Sequence, residues 1–270
     1  MREAPVTPNG DRIRWVELPG AEPARLYLHG LGASSPVHFA AAAAHPLLTG
    51  RRALLLDLLG FGISDRPTDF GYTLEQHADA VATAVAAAGL RQVEVVAHSM
   101  GGAIAIVLAH RHPGLVSRLV LVDANLDPIA PDPERIGSSG IAACTEAEFL
   151  AGGRAEVAER VGPSWWATMR LAGPEALHRS AVHLARGSEP TMRALLLGLD
   201  LPRTFLHPEA DAPADADGLR AAGVRVVEVP DCGHTIMLDN PDGFAVAAAT
   251  ALGGPTQAAD QVGGPTQTAD

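Results

Sequence analysis

The chain has 270 residues, 47% of them hydrophobic and 19% charged, enough apolar mass for one α/β domain with an insertion or for two small domains. Its formal net charge is −11, and an acidic chain without a basic patch argues against nucleic acid and anionic membrane as partners. All 20 basic residues are arginine, and the missing lysine excludes Schiff-base, phosphate-loop and kinase-type lysine chemistry.

Two cysteines, Cys144 and Cys232, lie far apart without metal-ligand spacing. They read as free thiols in a reducing compartment, and no metal site or cofactor is expected. Met1-Arg2-Glu3-Ala4-Pro5 holds no apolar signal core, and no apolar run approaches membrane-spanning length. A soluble, cytoplasmic protein is the expectation.

Ile13 to Leu18 predicts a short first strand, closed by Pro19-Gly20. Leu26-Tyr27-Leu28 predicts a second, which runs into His29-Gly30-Leu31-Gly32-Ala33-Ser34-Ser35. Glycines there allow a tight turn and leave backbone N–H groups unshielded, as an oxyanion-binding loop requires. An ordinary turn would look the same. Phe39 to Leu48 predicts a helix and Ala53 to Asp57 a strand, followed by the turn-rich Leu58 to Pro67. Thr73-Leu74-Glu75-Gln76 has the form of a capping box for a helix that reaches about Ala88 and stops at Gly89.

Val93 to Ala97 is a short β-branched run, and Ala103 to Ala109 an Ala-rich helical one. Between them stand His98-Ser99-Met100-Gly101-Gly102. A strand that turns sharply into a helix forces the turn residue into a strained conformation and lifts its side chain clear of the sheet. Ser99 is therefore the candidate nucleophile, although a serine capping a core helix has the same local sequence. Leu119 to Val122 predicts another buried strand, ending in Asp123. Strands that alternate with helices and are apolar on both faces imply a doubly wound, mostly parallel sheet.

From Asn125 the pattern changes. Prolines and a Gly-Ser-Ser-Gly run lead into helical spacing from about Thr145 to Leu199, with six arginines. Trp165, Trp166 and Met169 lie in it, either as the wall of an apolar acyl pocket or as the glue between this insertion and the sheet. The arginines read as a solvated face, with a substrate carboxylate as the alternative. Strands return at Arg203 to His207 and Val224 to Val229, with a short helix from about Asp217 to Ala222 between them. A loop with Gly233-His234 follows, then a last helix from Pro241 to Leu252. The domain expectation is a core domain in two parts, 1–124 and 201–252, with a helical cap at 125–200. The segment 253–270 repeats Gly-Gly-Pro-Thr-Gln and is expected to be a flexible tail.

The order of these signals resembles the α/β-hydrolase family over roughly residues 10–252. His29-Gly30-Leu31-Gly32 resembles its oxyanion loop, and Asp57 to Ser64 its Asp-x-x-Gly-x-Gly-x-Ser turn. Ala97-His98-Ser99-Met100-Gly101 resembles its nucleophile elbow, with Ala97 in place of a glycine. Gly233-His234 resembles its histidine loop. The resemblance implies Ser99 as nucleophile, His234 as general base and acid, and the backbone N–H groups of Leu31 and Met100 as oxyanion donors. It leaves two aspartates for the orienting carboxylate. Asp123 ends an apolar strand. Asp211 falls where the family more often carries the acid, but Pro208 replaces the turn glycine there.

The implied activity is serine hydrolysis of a small or medium-sized, apolar ester or related small-molecule acyl substrate through an acyl-enzyme. The same triad also serves carbon–carbon bond hydrolysis, lyase, acyl-transfer and cyclising chemistry. Dehalogenase and epoxide-hydrolase chemistry call for an aspartate at the elbow. A non-catalytic binding protein on this fold would not need Ser99, His234 and the glycine loop together.

Overall fold

The computed structural model describes residues 1–253, so beyond Gly253 the expected flexible tail lies outside the described residues. Eight strands form one sheet: β1 (Arg2–Pro5), β2 (Arg12–Leu18), β3 (Ala21–Leu28), β4 (Arg51–Asp57), β5 (Val93–His98), β6 (Val116–Val122), β7 (Arg203–Pro208) and β8 (Val224–Val229). Their order is β1-β2-β4-β3-β5-β6-β7-β8. β2 pairs antiparallel with β1 and β4, and all other pairings are parallel.

The apolar strands have two buried faces because helices cover both sides. Successive side chains of a strand point to opposite faces. Leu54 and Leu56 of β4, Val95 and Ala97 of β5, and Leu119 and Leu121 of β6 pack on one side with α2 (Leu74–Ala87) and α3 (Met100–Arg111). Leu55, Val96 and Val120 face the other side, against α1 (Ser35–Ala44) and the last helix. The capping box forms as expected. Thr73 Oγ1 accepts from the Gln76 N–H at 3.1 Å, and Gln76 Oε1 accepts from the Thr73 N–H at 3.3 Å. At the end of the sheet away from the site, Arg25 Nε meets Glu94 Oε2 at 3.2 Å, both nearly buried.

Between β6 and β7 the chain is helical: α4 (Ser138–Ile141), α5 (Glu146–Glu148), a π-helical turn (Phe149–Gly153), α6 (Arg154–Met169), α7 (Pro174–Arg186) and α8 (Met192–Gly198). Gly162, with φ 74° and ψ 167°, breaks α6 just before Pro163, which removes a backbone donor. The arginines of this region are not simply a solvated face. Arg179 forks onto Glu146 at 2.6 and 2.7 Å and also donates to the carbonyls of Thr68 and Phe70. Arg193 forks onto Asp127, and Arg160 donates to the carbonyl of Pro133 at 2.6 Å. They tie the helices to each other and to the sheet domain. After β7 come α9 (Ala216–Ala221), β8, α10 (Ile236–Asp239) and α11 (Pro241–Ala251).

Two strand expectations need correction. β1 is a polar edge strand with only Ala4 buried, so it has no apolar run to reveal it. β3 begins at Ala21, because its exposed first half, which contains Pro23, lacks a strand composition. Among the described residues no helix is long and apolar enough to cross a membrane.

Candidate active site

Ser99 stands between the last residue of β5 and the first residue of α3, with φ 52° and ψ −121°. A non-glycine residue in that region is strained, by about 1–3 kcal/mol. The strain is held by packing. A Cβ on Gly101 would lie 2.5 Å from the carbonyl oxygen of His29, so only glycine lets α3 start this close to β3. Ala97 is fully buried, and its methyl group is accommodated where the family pattern has glycine.

A cavity of about 650 Å³ opens over Ser99. Its wall includes Leu31, Asp123, Asn125, Trp165, Asp211 and His234. Asp123 follows β6 with φ 43°, and its N–H still continues the ladder to Leu206 O at 2.8 Å. The left-handed backbone turns its carboxylate to His234, whose Nδ1 lies 2.6 Å from Asp123 Oδ2. Asp123 is mostly shielded, whereas His234 is half-exposed to the cavity. That bond fixes the tautomer and leaves Nε2 as the free nitrogen.

Asp211 reaches the cavity wall, but among the described residues its carboxylate is not hydrogen-bonded to His234. β7 runs on through Pro208, which pairs with Val229, so the turn begins late. The Asp211 N–H closes it on Pro208 O at 3.1 Å.

The Ser99 hydroxyl donates to Asn125 Oδ1 at 3.3 Å, and among the described residues no hydrogen bond joins it to His234. Asn125 is a site residue that no motif in the sequence singles out. Its one signal there is a polar residue two positions beyond a strand-ending aspartate.

The N–H groups of Leu31 and Met100 donate to no other described residue. Met100 is the first residue of α3, where helix N–H groups lack internal partners and the helix dipole favours negative charge. The Leu31 loop is held from behind. Asp57 accepts from Ser35 N at 2.7 Å, Ser34 Oγ at 3.1 Å and Ile63 N at 2.9 Å. A Cβ on Gly62 would fall 1.8 Å from Asp57 Oδ2, so that glycine is required. His29 donates Nδ1–H to Gly30 O at 2.7 Å and accepts from Leu58 N at Nε2, at 3.0 Å. This double role needs a neutral ring, and burial lowers its pKa accordingly. The Asp57 to Ser64 turn therefore acts as the buttress of the Leu31 loop.

Two further histidines stand behind His234. His98 Nε2 donates to the backbone carbonyl of His234 at 2.8 Å, and the two ring centroids are 4.6 Å apart. Burial, then the charges of His234 and His38, hold His98 well below the usual histidine range. His38 lines the cavity, and burial pushes it down to about 4.

Of the three candidates for an acyl pocket, Trp165 lines the cavity and donates Nε1–H to Leu31 O at 3.2 Å. Trp166, about 100° further round the helix, is not in the wall and lies under the Arg154 guanidinium, 5.5 Å away. Met169 is also outside the wall, fully buried against Gly32 of the loop after β3. Met169 thus joins the insertion to the sheet domain, and Trp166 packs with Arg154 within the insertion.

A family model described as alpha/beta hydrolase fold matches residues 25–140. A 2-hydroxymuconate semialdehyde hydrolase from Pseudomonas putida is 38% identical over 97 residues, 36% of this chain and 34% of that protein. The chain spans between 24% and 34% of the length of three curated relatives it matches. Among solved structures, an esterase from Exiguobacterium antarcticum superposes with a TM-score of 0.74 at 20% identity, over 93% of this chain and 98% of that one. An enol-lactonase from Burkholderia xenovorans superposes with a TM-score of 0.72 at 22% identity, over 93% of this chain and 100% of that one. At these identities the structures share the fold.

Proposed function

The chain has the α/β-hydrolase fold, and from that premise we propose that it is a serine hydrolase that cleaves a small or medium-sized, apolar ester or related acyl substrate. The observation that carries this reading is the 2.6 Å contact between Asp123 and His234 on the wall of the cavity that also exposes Ser99.

The Ser99 hydroxyl turns from Asn125 towards His234. Its oxygen attacks the acyl carbonyl carbon while its proton passes to His234 Nε2. Asp123 stabilises the imidazolium and keeps the ring oriented. The oxyanion of the tetrahedral intermediate takes hydrogen bonds from the N–H groups of Leu31 and Met100. When the intermediate collapses, His234 returns its proton to the leaving oxygen. A water then repeats the sequence on the acyl-enzyme and restores the Ser99 hydroxyl. The helical segment 125–200 acts as a cap, with Trp165 as its contact to the acyl site.

Carbon–carbon bond hydrolysis is the second reading. The similarity to the Pseudomonas putida hydrolase over 97 residues favours it.

A fluorophosphonate probe tests the common premise. It should label the wild-type protein and leave folded Ser99→Ala unlabelled; an unlabelled, folded wild type sinks both readings. An ester-length panel and a vinylogous 1,5-diketone, with product analysis, then separates ester from carbon–carbon cleavage.

A further inference from the structure

The acyl carbon bound to Ser99 Oγ has three other substituents in the tetrahedral intermediate: the oxyanion, the leaving group and the first carbon of the acyl chain. The oxyanion is drawn to the Leu31 and Met100 N–H groups, and the leaving group must meet His234 to be protonated. The hydrogen-bond partner of Ser99 Oγ among the described residues is Asn125, with its amide oxygen 3.3 Å away. An acyl chain that leaves on this third side passes Asn125.

Asn125 is also a prepared group rather than a loop side chain in passing. Its neighbours Ala124 and Leu126 are buried. Arg193 fixes the loop from the other side. Its N–H donates to Leu126 O at 2.9 Å, and its guanidinium forks onto Asp127 at 2.9, 3.1 and 2.6 Å. A carboxamide that accepts through Oδ1 still holds two N–H donors at Nδ2. Among the described residues nothing accepts from them, and the side chain lines the cavity.

The geometry points to Asn125 as a substrate-recognition residue that selects acyl groups with an oxygen on the carbon next to the reacting carbonyl. A 2-oxo, 2-hydroxy or 2-alkoxy oxygen accepts from Nδ2–H, and a methylene in its place leaves the donors unpaired. A donor that the bound substrate shields from water without pairing is penalised more than the hydrogen bond itself is worth. This inference rests on the acyl-transfer reading of Ser99.

The test compares p-nitrophenyl 2-methoxyacetate with p-nitrophenyl butanoate, which have the same number of chain atoms. The ratio of their kcat/KM values is measured in the wild type, Asn125→Leu and Asn125→Asp, with thermal melting to confirm folding. Intrinsic reactivity divides out between proteins. The ratio should fall about tenfold in both variants, the effect of one hydrogen bond to a neutral acceptor. A ratio unchanged within about twofold in the folded variants overturns the proposal. Asn125→Asp is the isosteric variant and decides the matter if the leucine variant fails to fold. Binding of the same two esters to Ser99→Ala reads recognition without turnover. A binding preference that disappears in Ser99→Ala/Asn125→Leu upholds the proposal even if the wild type cleaves neither ester, which would defeat the hydrolase reading alone. Equal binding of both esters to Ser99→Ala overturns it.

Discussion

Trp165 donates its indole N–H to the backbone carbonyl of Leu31 at 3.2 Å, and both residues line the cavity over Ser99. In the proposed mechanism one peptide group is thus tied to the helical insertion while its neighbour serves the oxyanion. The tie comes from the short second half of α6, re-aimed by the break at Gly162.

Trp165→Phe keeps the ring and deletes the donor. A net hydrogen bond is worth about 1 kcal/mol, so kcat/KM should fall about fivefold. The loss should lie in kcat if the Leu31 N–H has moved, and in KM if only the wall is altered. Steady-state kinetics on one ester separate the two. Unchanged kinetics would mean that the cap does not steer the oxyanion loop.

The two aspartates on the cavity wall should behave differently. Asp123→Asn leaves His234 with the wrong partner at Nδ1, and turnover should fall by roughly 10³- to 10⁴-fold. Asp211→Asn should stay within about threefold of wild type, as expected where no network is cut. If the second variant is the dead one, the hydrogen bond seen at His234 is not the one used in catalysis.

Acid should weaken the fold through its buried histidines. Burial pushes His38 down to about 4 and His77 down to about 3 from an ordinary 6.5. In the unfolded chain both take up a proton near pH 6.5, while in the fold they resist until the lower values. The unfolded state therefore binds more protons in that window. Stability is complete above about pH 6.5 and falls as pH drops towards 4, by about 1.4 kcal/mol per pH unit for each histidine. His77 Nε2 meets Ser180 Oγ at 3.1 Å, and His77→Gln, which keeps a polar group there but does not titrate, should flatten the slope of unfolding free energy against pH. Equal slopes in variant and wild type would contradict this origin.

The ion pair of Arg25 and Glu94 is nearly buried at the far end of the sheet. Arg25→Met leaves the nearly buried Glu94 carboxylate with Arg118 alone, 3.7 Å away, and should cost about 1–3 kcal/mol, the loss of one hydrogen bond to a charged group. Arg25→Met with Glu94→Leu should recover most of that. Urea unfolding of the three proteins reads the difference, and a double variant no better than the single one would assign the cost to packing instead.

Much of this architecture is legible in the amino-acid sequence alone. β4, β5 and β6 announce themselves because both of their faces are covered, so Ala53 to Leu56, Val95 to Ala97 and Leu119 to Val122 are unbroken apolar runs. The Thr73-Gln76 box is local chemistry and needs nothing from the rest of the chain. Ser99, His234 and the Leu31 loop are legible because their positions between elements carry the signal. The site residues that escape such a reading depend on direction. Which aspartate meets His234 turns on the backbone of Asp123 and on how far β7 runs past Pro208. Asn125 and His38 become cavity residues only once the cap closes above the sheet. Trp166 differs from Trp165 in its bearing around the helix, whereas Met169, one turn further on the same face, is taken up by the contact with Gly32 and stops short of the cavity.

β6 and β7 lie side by side, with Leu121 opposite Phe205. The helices between them leave the sheet and re-enter it about 5 Å away, the width of one strand. The two stems are fixed by the ladder and indifferent to the length of what joins them. A replacement segment from another protein of this fold can therefore be spliced there without shifting the register of any strand. Such an exchange keeps the ladder but cuts the Trp165 bond to Leu31 and the seat of Met169 against Gly32, so a new segment must bring its own hold on the loop after β3.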